Sequence, residues 1–150
     1  MTDGAKITAV LNSVLESAAT VIPMPITPGQ LALVTAHDTH VGYSILIGVT
    51  GELHGRLVLD TTQELVSSVA ETMFGMQVSG EMLDSFAGEF GNMLGGNMAT
   101  KLSERGVQID ITPPTVISGN ARISGFKKAF RIPITVSDKG QVQCYLIFED

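Results

Sequence analysis

The sequence predicts an α+β layer, a largely antiparallel sheet with about three helices packed on one face. Three observations predict it. Apolar residues recur at helical spacing in three separate segments. β-rich runs stand between and after those segments, joined by short turns of the kind that link antiparallel strands. The order along the chain is helix, two or three strands, two helices, then three or four strands.

Residues 1–4 are expected to fray. From Ala5, the spacing of Ile7, Val10, Leu11, Val14, Leu15, Ala18 and Ala19 is helical, and the helix should end before Pro23. Pro23, Pro25 and Pro28 are expected to exclude regular structure through Gly29, leaving an extended connector. Residues 31–35 alternate into a short strand, and residues 36–40 form a turn. Residues 41–49 are β-rich and apolar on both sides, which suggests a central strand. Residues 50–55 turn the chain back into residues 56–59, so these two strands should form a hairpin. Asp60 or Thr61 can cap the second helix, in which Leu65, Val66, Val69, Ala70, Met73 and Phe74 recur at helical spacing before Gly75 ends it.

Ser79 can cap a third helix of about 25 residues, with Glu81 near its positive end and Gly106 as the natural residue after its last turn. Strands follow at 107–112, 115–119, 127–136 and 141–148, the last two joined by Ser137-Asp138-Lys139-Gly140 chemistry suited to a hairpin turn. The whole chain, 1–150, reads as a single domain with one hydrophobic core, and no internal repeat breaks it.

Composition limits the function classes. The 150 residues are 44% hydrophobic and 16% charged, which suits a folded protein and argues against disorder. A formal net charge of −6 disfavours nucleic acid and acidic membrane surfaces as partners, because both require clustered cations. Cys144 is the single cysteine and sits in an apolar run, so no intrachain disulfide or thiolate zinc site is expected. No apolar stretch has the length of a membrane span, and the first ten residues lack the pattern of a signal peptide; the expected location is cytoplasmic.

The third helix carries the candidate chemistry. Successive residues stand about 100° apart around a helix. Met82, Leu83, Phe86, Ala87, Phe90, Met93, Leu94 and Met98 then fall in one apolar band, the expected core face. Ser85, Glu89, Asn92 and Gly96 form a narrow polar stripe beside it. Gly88, Gly91 and Gly95 fall on a third face, farthest from the band. Each glycine inside a helix costs roughly 1 kcal/mol relative to alanine, so three on one exposed face imply a close approach. That approach is either a partner's pocket or a neighbouring helix. Glu89 and Asn92, at i and i+3, leave the helix side by side. Together they offer a carboxylate to grip a cation and a carboxamide to orient a water.

Ser85-x3-Glu89-x2-Asn92, followed by Pro113 or Pro114, resembles the Asp/Ser-x3-Glu-x2-Asn-…-Pro signature of the CheC/CheX/FliY phosphatases of bacterial chemotaxis. GEFGNMLGGNMATKLSERG at 88–106, PPTVISG at 113–119 and TGELHGRLVL at 50–59 are similar to the CheX branch. The resemblance implies a CheC/CheX-like fold and hydrolysis of the aspartyl-phosphate of a CheY-type response regulator. It also implies that Glu89 docks on a receiver lysine and Asn92 orients the attacking water. Ser85, Gly88 and Gly96 would support the site or touch the partner. No cofactor of its own is implied; Mg²⁺ would arrive on the receiver, and a homodimer is expected, with residues 141–148 as a possible pairing edge.

Other readings compete. A non-catalytic module of the same fold would engage a regulator or flagellar switch component without hydrolysis, and a small-ligand sensor would need a polar pocket that the sequence does not display. Asn97 projects into the apolar band and is expected to be a satisfied core amide. His37 and His40 with Asp38 lack a visible third metal ligand and read as a solvated turn.

Overall fold

Short polar side chains set where two of the three helices begin. A computed structural model describes residues 2–35 and 40–149. The Thr2 hydroxyl accepts from the Ala5 N–H at 3.1 Å, so helix α1 (Asp3–Val21) starts two residues before Ala5, and Asp3 and Gly4 are helical where fraying was expected. The Thr62 hydroxyl accepts from the Leu65 N–H at 3.1 Å and caps helix α2 (Gln63–Phe74), in place of Asp60 or Thr61. Gly75, at φ +74°, ends α2 as expected. Helix α3 (Gly80–Glu104) follows Ser79, whose extended backbone marks the boundary although its side chain makes no capping bond. At the far end Gly106 adopts φ +87°, and the Val107 N–H donates to the Leu102 carbonyl at 2.9 Å.

The strands are β1 (Ile26–Pro28), β2 (Ala32–Thr35), β3 (His40–Val41), β4 (Tyr43–Gly51), β5 (His54–Thr61), β6 (Ile109–Ile111), β7 (Thr115–Ile117), β8 (Ala121–Arg122), β9 (Lys128–Val136) and β10 (Gly140–Glu149). Eight of them form one sheet in the order β1-β9-β10-β5-β4-β6, with β2 also on β9 and β7 also on β4; every pairing is antiparallel. The predicted β4–β5 and β9–β10 hairpins both form. With α1, α2 and α3 beside it, the sheet makes an α+β layer.

Two expectations about the strands fail. The proline-rich connector is not wholly irregular, because β1 pairs with β9, placing Pro28 opposite Ile134. An edge strand tolerates proline, since an N–H facing outward has no ladder bond to lose. Residues 141–148 also offer no pairing edge: β10 lies between β9 and β5 and is hydrogen-bonded on both sides. Its apolar character comes from central placement.

Side chains alternate across a strand, so the sheet has two faces to bury. On the helix side Ile45, Ile47, Leu57, Leu59 and Ile134 meet Val14, Leu94 and Met98. On the other side Val58, Tyr145 and Ile147 pack with Val41, Ile123 and Ala129, beneath the small β3–β8 ribbon. Instead of the single core expected, there are two layers of burial, one on each face. Among the described residues no helix is long and apolar enough to cross a membrane.

Candidate functional site

The position of α3 on the sheet is set by two glycines. A Cβ at Gly91 would lie 2.5 Å from Cγ2 of Ile45, and one at Gly95 would lie 3.1 Å from Cδ1 of Ile111. Both glycines are buried against the sheet. The glycine face is therefore not the exposed one, and the close approach it implied is to β4 and β6, neither a partner's pocket nor another helix. The apolar band, Met82 and Met93 apart, is covered by packing against α1 and α2.

With one side on the sheet and another under the helices, a narrow arc of α3 remains open. Ser85, Glu89 and Asn92 are all exposed on it. Met82 and Met93, assigned above to the core band, lie at its border and are 58% and 39% exposed. Asn97 is half-buried, and among the described residues nothing donates to its Oδ1, so the expected satisfaction of the amide is not borne out at that atom.

Beside the arc runs an open groove of about 550 Å³. Asp84, Ser85, Gly88, Glu89 and Asn92 form its helical wall, and Ile111, Thr112, Pro113, Pro114 and Val116 form the opposite one. Four of the predicted site residues and both candidate prolines thus converge on one groove. Gly88 is half-buried there, and a Cβ on it would come no closer than 3.9 Å, to Val116. Gly96 does not line the groove, and a Cβ on it would meet nothing within 4 Å.

Asp84 was not singled out from the sequence, although it precedes Gly88 by four residues and Asn92 by eight, which aligns all three along one helix edge. The buried Tyr43 hydroxyl donates to Asp84 Oδ1 at 2.7 Å, tying the first turns of α3 to the start of β4. Burial, reinforced by the carboxylate beside it, pushes that phenol far above its ordinary range, so it stays a hydrogen-bond donor. Cys144 is fully buried and its thiol is pushed up to about 12 by burial, which leaves it without thiolate chemistry. The His37, Asp38 and His40 candidate lies outside the described residues, apart from the backbone of His40.

A carboxylate and a carboxamide on a helix anchored at both ends can present a hydrogen-bond acceptor and an amide to whatever enters the groove, without first having to be ordered. Known proteins resemble the chain as a whole. Residues 43–142 match the family described as chemotaxis phosphatase CheX. The chain is 31% identical over 148 residues to the CheY-P phosphatase CheX of Thermotoga maritima, with 96% of each covered. Among solved structures, it is similar to a CheC-like superfamily protein from a Shewanella species, at TM-score 0.79 and 26% identity over the full length of both chains. It shares its fold, at TM-score 0.77 and 22% identity, with a chain of the CheX–CheY–BeF₃–Mg²⁺ complex from Borrelia burgdorferi, over 96% of this chain and 97% of that one. The chain belongs to the CheX family of chemotaxis phosphatases.

Proposed function

We propose that this protein hydrolyses the aspartyl-phosphate of a CheY-type response regulator, with Asn92 orienting the attacking water and Glu89 docking on a receiver lysine. The observation that carries the reading is the exposure of Glu89 and Asn92 side by side on a helix whose other sides are buried, along a groove closed opposite by Pro113 and Pro114. The Thermotoga maritima relative is a CheY-P phosphatase, which supports the substrate class.

In this reaction water attacks phosphorus in line, the acyl P–O bond breaks, and the receiver regains a free aspartate as inorganic phosphate leaves. Phosphoryl transfer of this kind depends mainly on positioning and on stabilising spread charge. The Asn92 carboxamide accepts a hydrogen bond from the water and donates another to a phosphoryl oxygen. Mg²⁺ belongs to the receiver, as the composition of the Borrelia burgdorferi complex supports. Ser85 and Gly88 border the contact in the groove, and Gly96 leaves room one turn beyond Asn92. All 150 residues act as one domain in this reading. The protein is a homodimer, and exposed Leu31 and Leu33, beside the outer sheet edge at β1 and β2, support a contact there. Sedimentation at several concentrations tests that contact, which Leu33→Lys should abolish.

The decisive experiment follows decay of a CheY-type receiver phosphorylated with acetyl phosphate, with and without this protein. Accelerated decay that disappears in Asn92→Ala is the expected result. Unchanged or slowed decay identifies a non-catalytic binding module.

A further inference from the structure

β6 and β7 pair with the same edge of β4 in registers that differ by one residue. Ile111 faces Val49 and Thr115 faces Leu46. Between those pairs, Ile47 and Gly48 on β4 are opposed by Thr112, Pro113 and Pro114. An extra residue on one strand of an antiparallel pair is a β-bulge, which bends its strand and often re-aims groups beside a functional site. The two prolines carry no N–H and cannot restore the ladder.

Thr112 bridges the gap. Its N–H donates to the Gly48 carbonyl at 2.9 Å, and its Oγ accepts from the Gly48 N–H at 2.8 Å. A side-chain hydroxyl thus stands in for the backbone carbonyl that a regular strand would offer, freeing the chain to arch outward as Pro113 and Pro114. Gly48 suits the seat because a Cβ on it would lie 2.9 Å from Thr112 Oγ and 3.0 Å from its Cγ2. The resemblance accounts for a proline on this wall of the groove. It does not account for Thr112 or Gly48, which lie outside the signature.

We infer that Thr112, latched on Gly48, is a positioning residue that holds the proline wall at a fixed distance from Glu89 and Asn92. It thereby sets how a receiver seats in the groove. The inference rests on the phosphatase reading above. A receiver that presents its phosphorylated aspartate to Asn92 enters between α3 and this wall. A wall free to shift changes the fit before it changes the water-orienting amide, so the loss appears first in KM.

The test measures KM and kcat for the phosphorylated receiver with Thr112→Val, Thr112→Ser and Gly48→Ala, alongside wild type and Asn92→Ala. Thr112→Val keeps the branched shape but leaves the Gly48 N–H without its acceptor. Thr61→Val is the control, removing a comparable hydroxyl bond, to the Gln141 carbonyl at 3.0 Å, in the same sheet away from the groove. Expected is a rise in KM of about tenfold for Thr112→Val, the equivalent of one lost hydrogen bond, with kcat little changed. Thr112→Ser restores KM, and Thr61→Val lowers the melting temperature without touching it. Gly48→Ala, which displaces the latch from the other side, raises KM as well and serves if Thr112→Val does not fold. Wild-type KM in both Thr112→Val and Gly48→Ala, with Asn92→Ala inactive, overturns the latch alone. An equal KM rise in Thr61→Val overturns it as general destabilisation. No acceleration by the wild type overturns the phosphatase reading and the latch with it.

Discussion

The two sides of α3 use glycine for opposite ends. On the inner side, Gly91 and Gly95 bring the helix so near the sheet that a single carbon at Gly91 would stand 2.5 Å from Ile45. On the outer side, Gly96 faces open space, beside exposed Glu89 and Asn92. Contact within makes the presentation without possible. A helix seated on β4 and β6, and held at its start by Tyr43 and Asp84, has little freedom to withdraw its outer residues. The inner side should therefore control stability and the outer side activity, and substitutions on each can break that division.

Asn92→Ala carries the largest expected effect. Losing the group that places the water should lower receiver dephosphorylation by about a hundredfold or more, roughly 2.7 kcal/mol in the barrier. Because Asn92 is exposed, denaturant unfolding should shift by no more than about 0.5 kcal/mol. A large loss of stability in this variant would end the division of labour between the two sides.

Gly91→Ala is the converse. The added methyl collides with Cγ2 of Ile45, a stiff branched side chain that is itself fully buried. Overpacking costs about 1–3 kcal/mol, against which alanine returns roughly 1 kcal/mol of helix propensity. Net destabilisation of up to about 2 kcal/mol is expected in urea unfolding. Gly95→Ala should do less, because its nearest contact is the terminal methyl of Ile111, a half-buried side chain with room to move. Equal effects at the two positions would mean that α3 lifts as a body.

Much of this was legible in the sequence, and what was not has physical causes. The limits of α3, the glycine at its end and the stripe of Ser85, Glu89 and Asn92 follow from local rules that hold in any context. What covers each side of the helix does not. Helical periodicity counts apolar side chains, and glycine has none to count, so a face buried by close approach looks the same as a bare one. Met82 and Met93 fell in the apolar band by angle, yet the band is wider than the cover over it. The centrality of β10 was hidden because strand order is a non-local property, and β1 because an edge strand escapes the usual penalty of proline. Thr112 gave no signal, since its role depends on the register of two strands against a third.

Glu89→Gln is expected to weaken binding of a BeF₃-activated receiver by about fivefold, near the 1 kcal/mol of an exposed ion pair. Titrations at low and high salt check it, because the difference should shrink as salt screens the pair. A salt-independent loss would point to packing around Glu89 instead of its charge.

Gly96→Ala should give the smallest effect and the sharpest reading of the outer side. Among the described residues nothing opposes a methyl there, so the helix should gain up to about 1 kcal/mol of stability in urea unfolding. If the receiver needs the space one turn beyond Asn92, the same methyl raises KM by about threefold, roughly 0.7 kcal/mol of lost binding. A more stable but weaker phosphatase is the expected outcome, because the only body left to object to the methyl is the partner. A stabilised variant with wild-type KM would remove Gly96 from the contact surface and draw its boundary at Asn92.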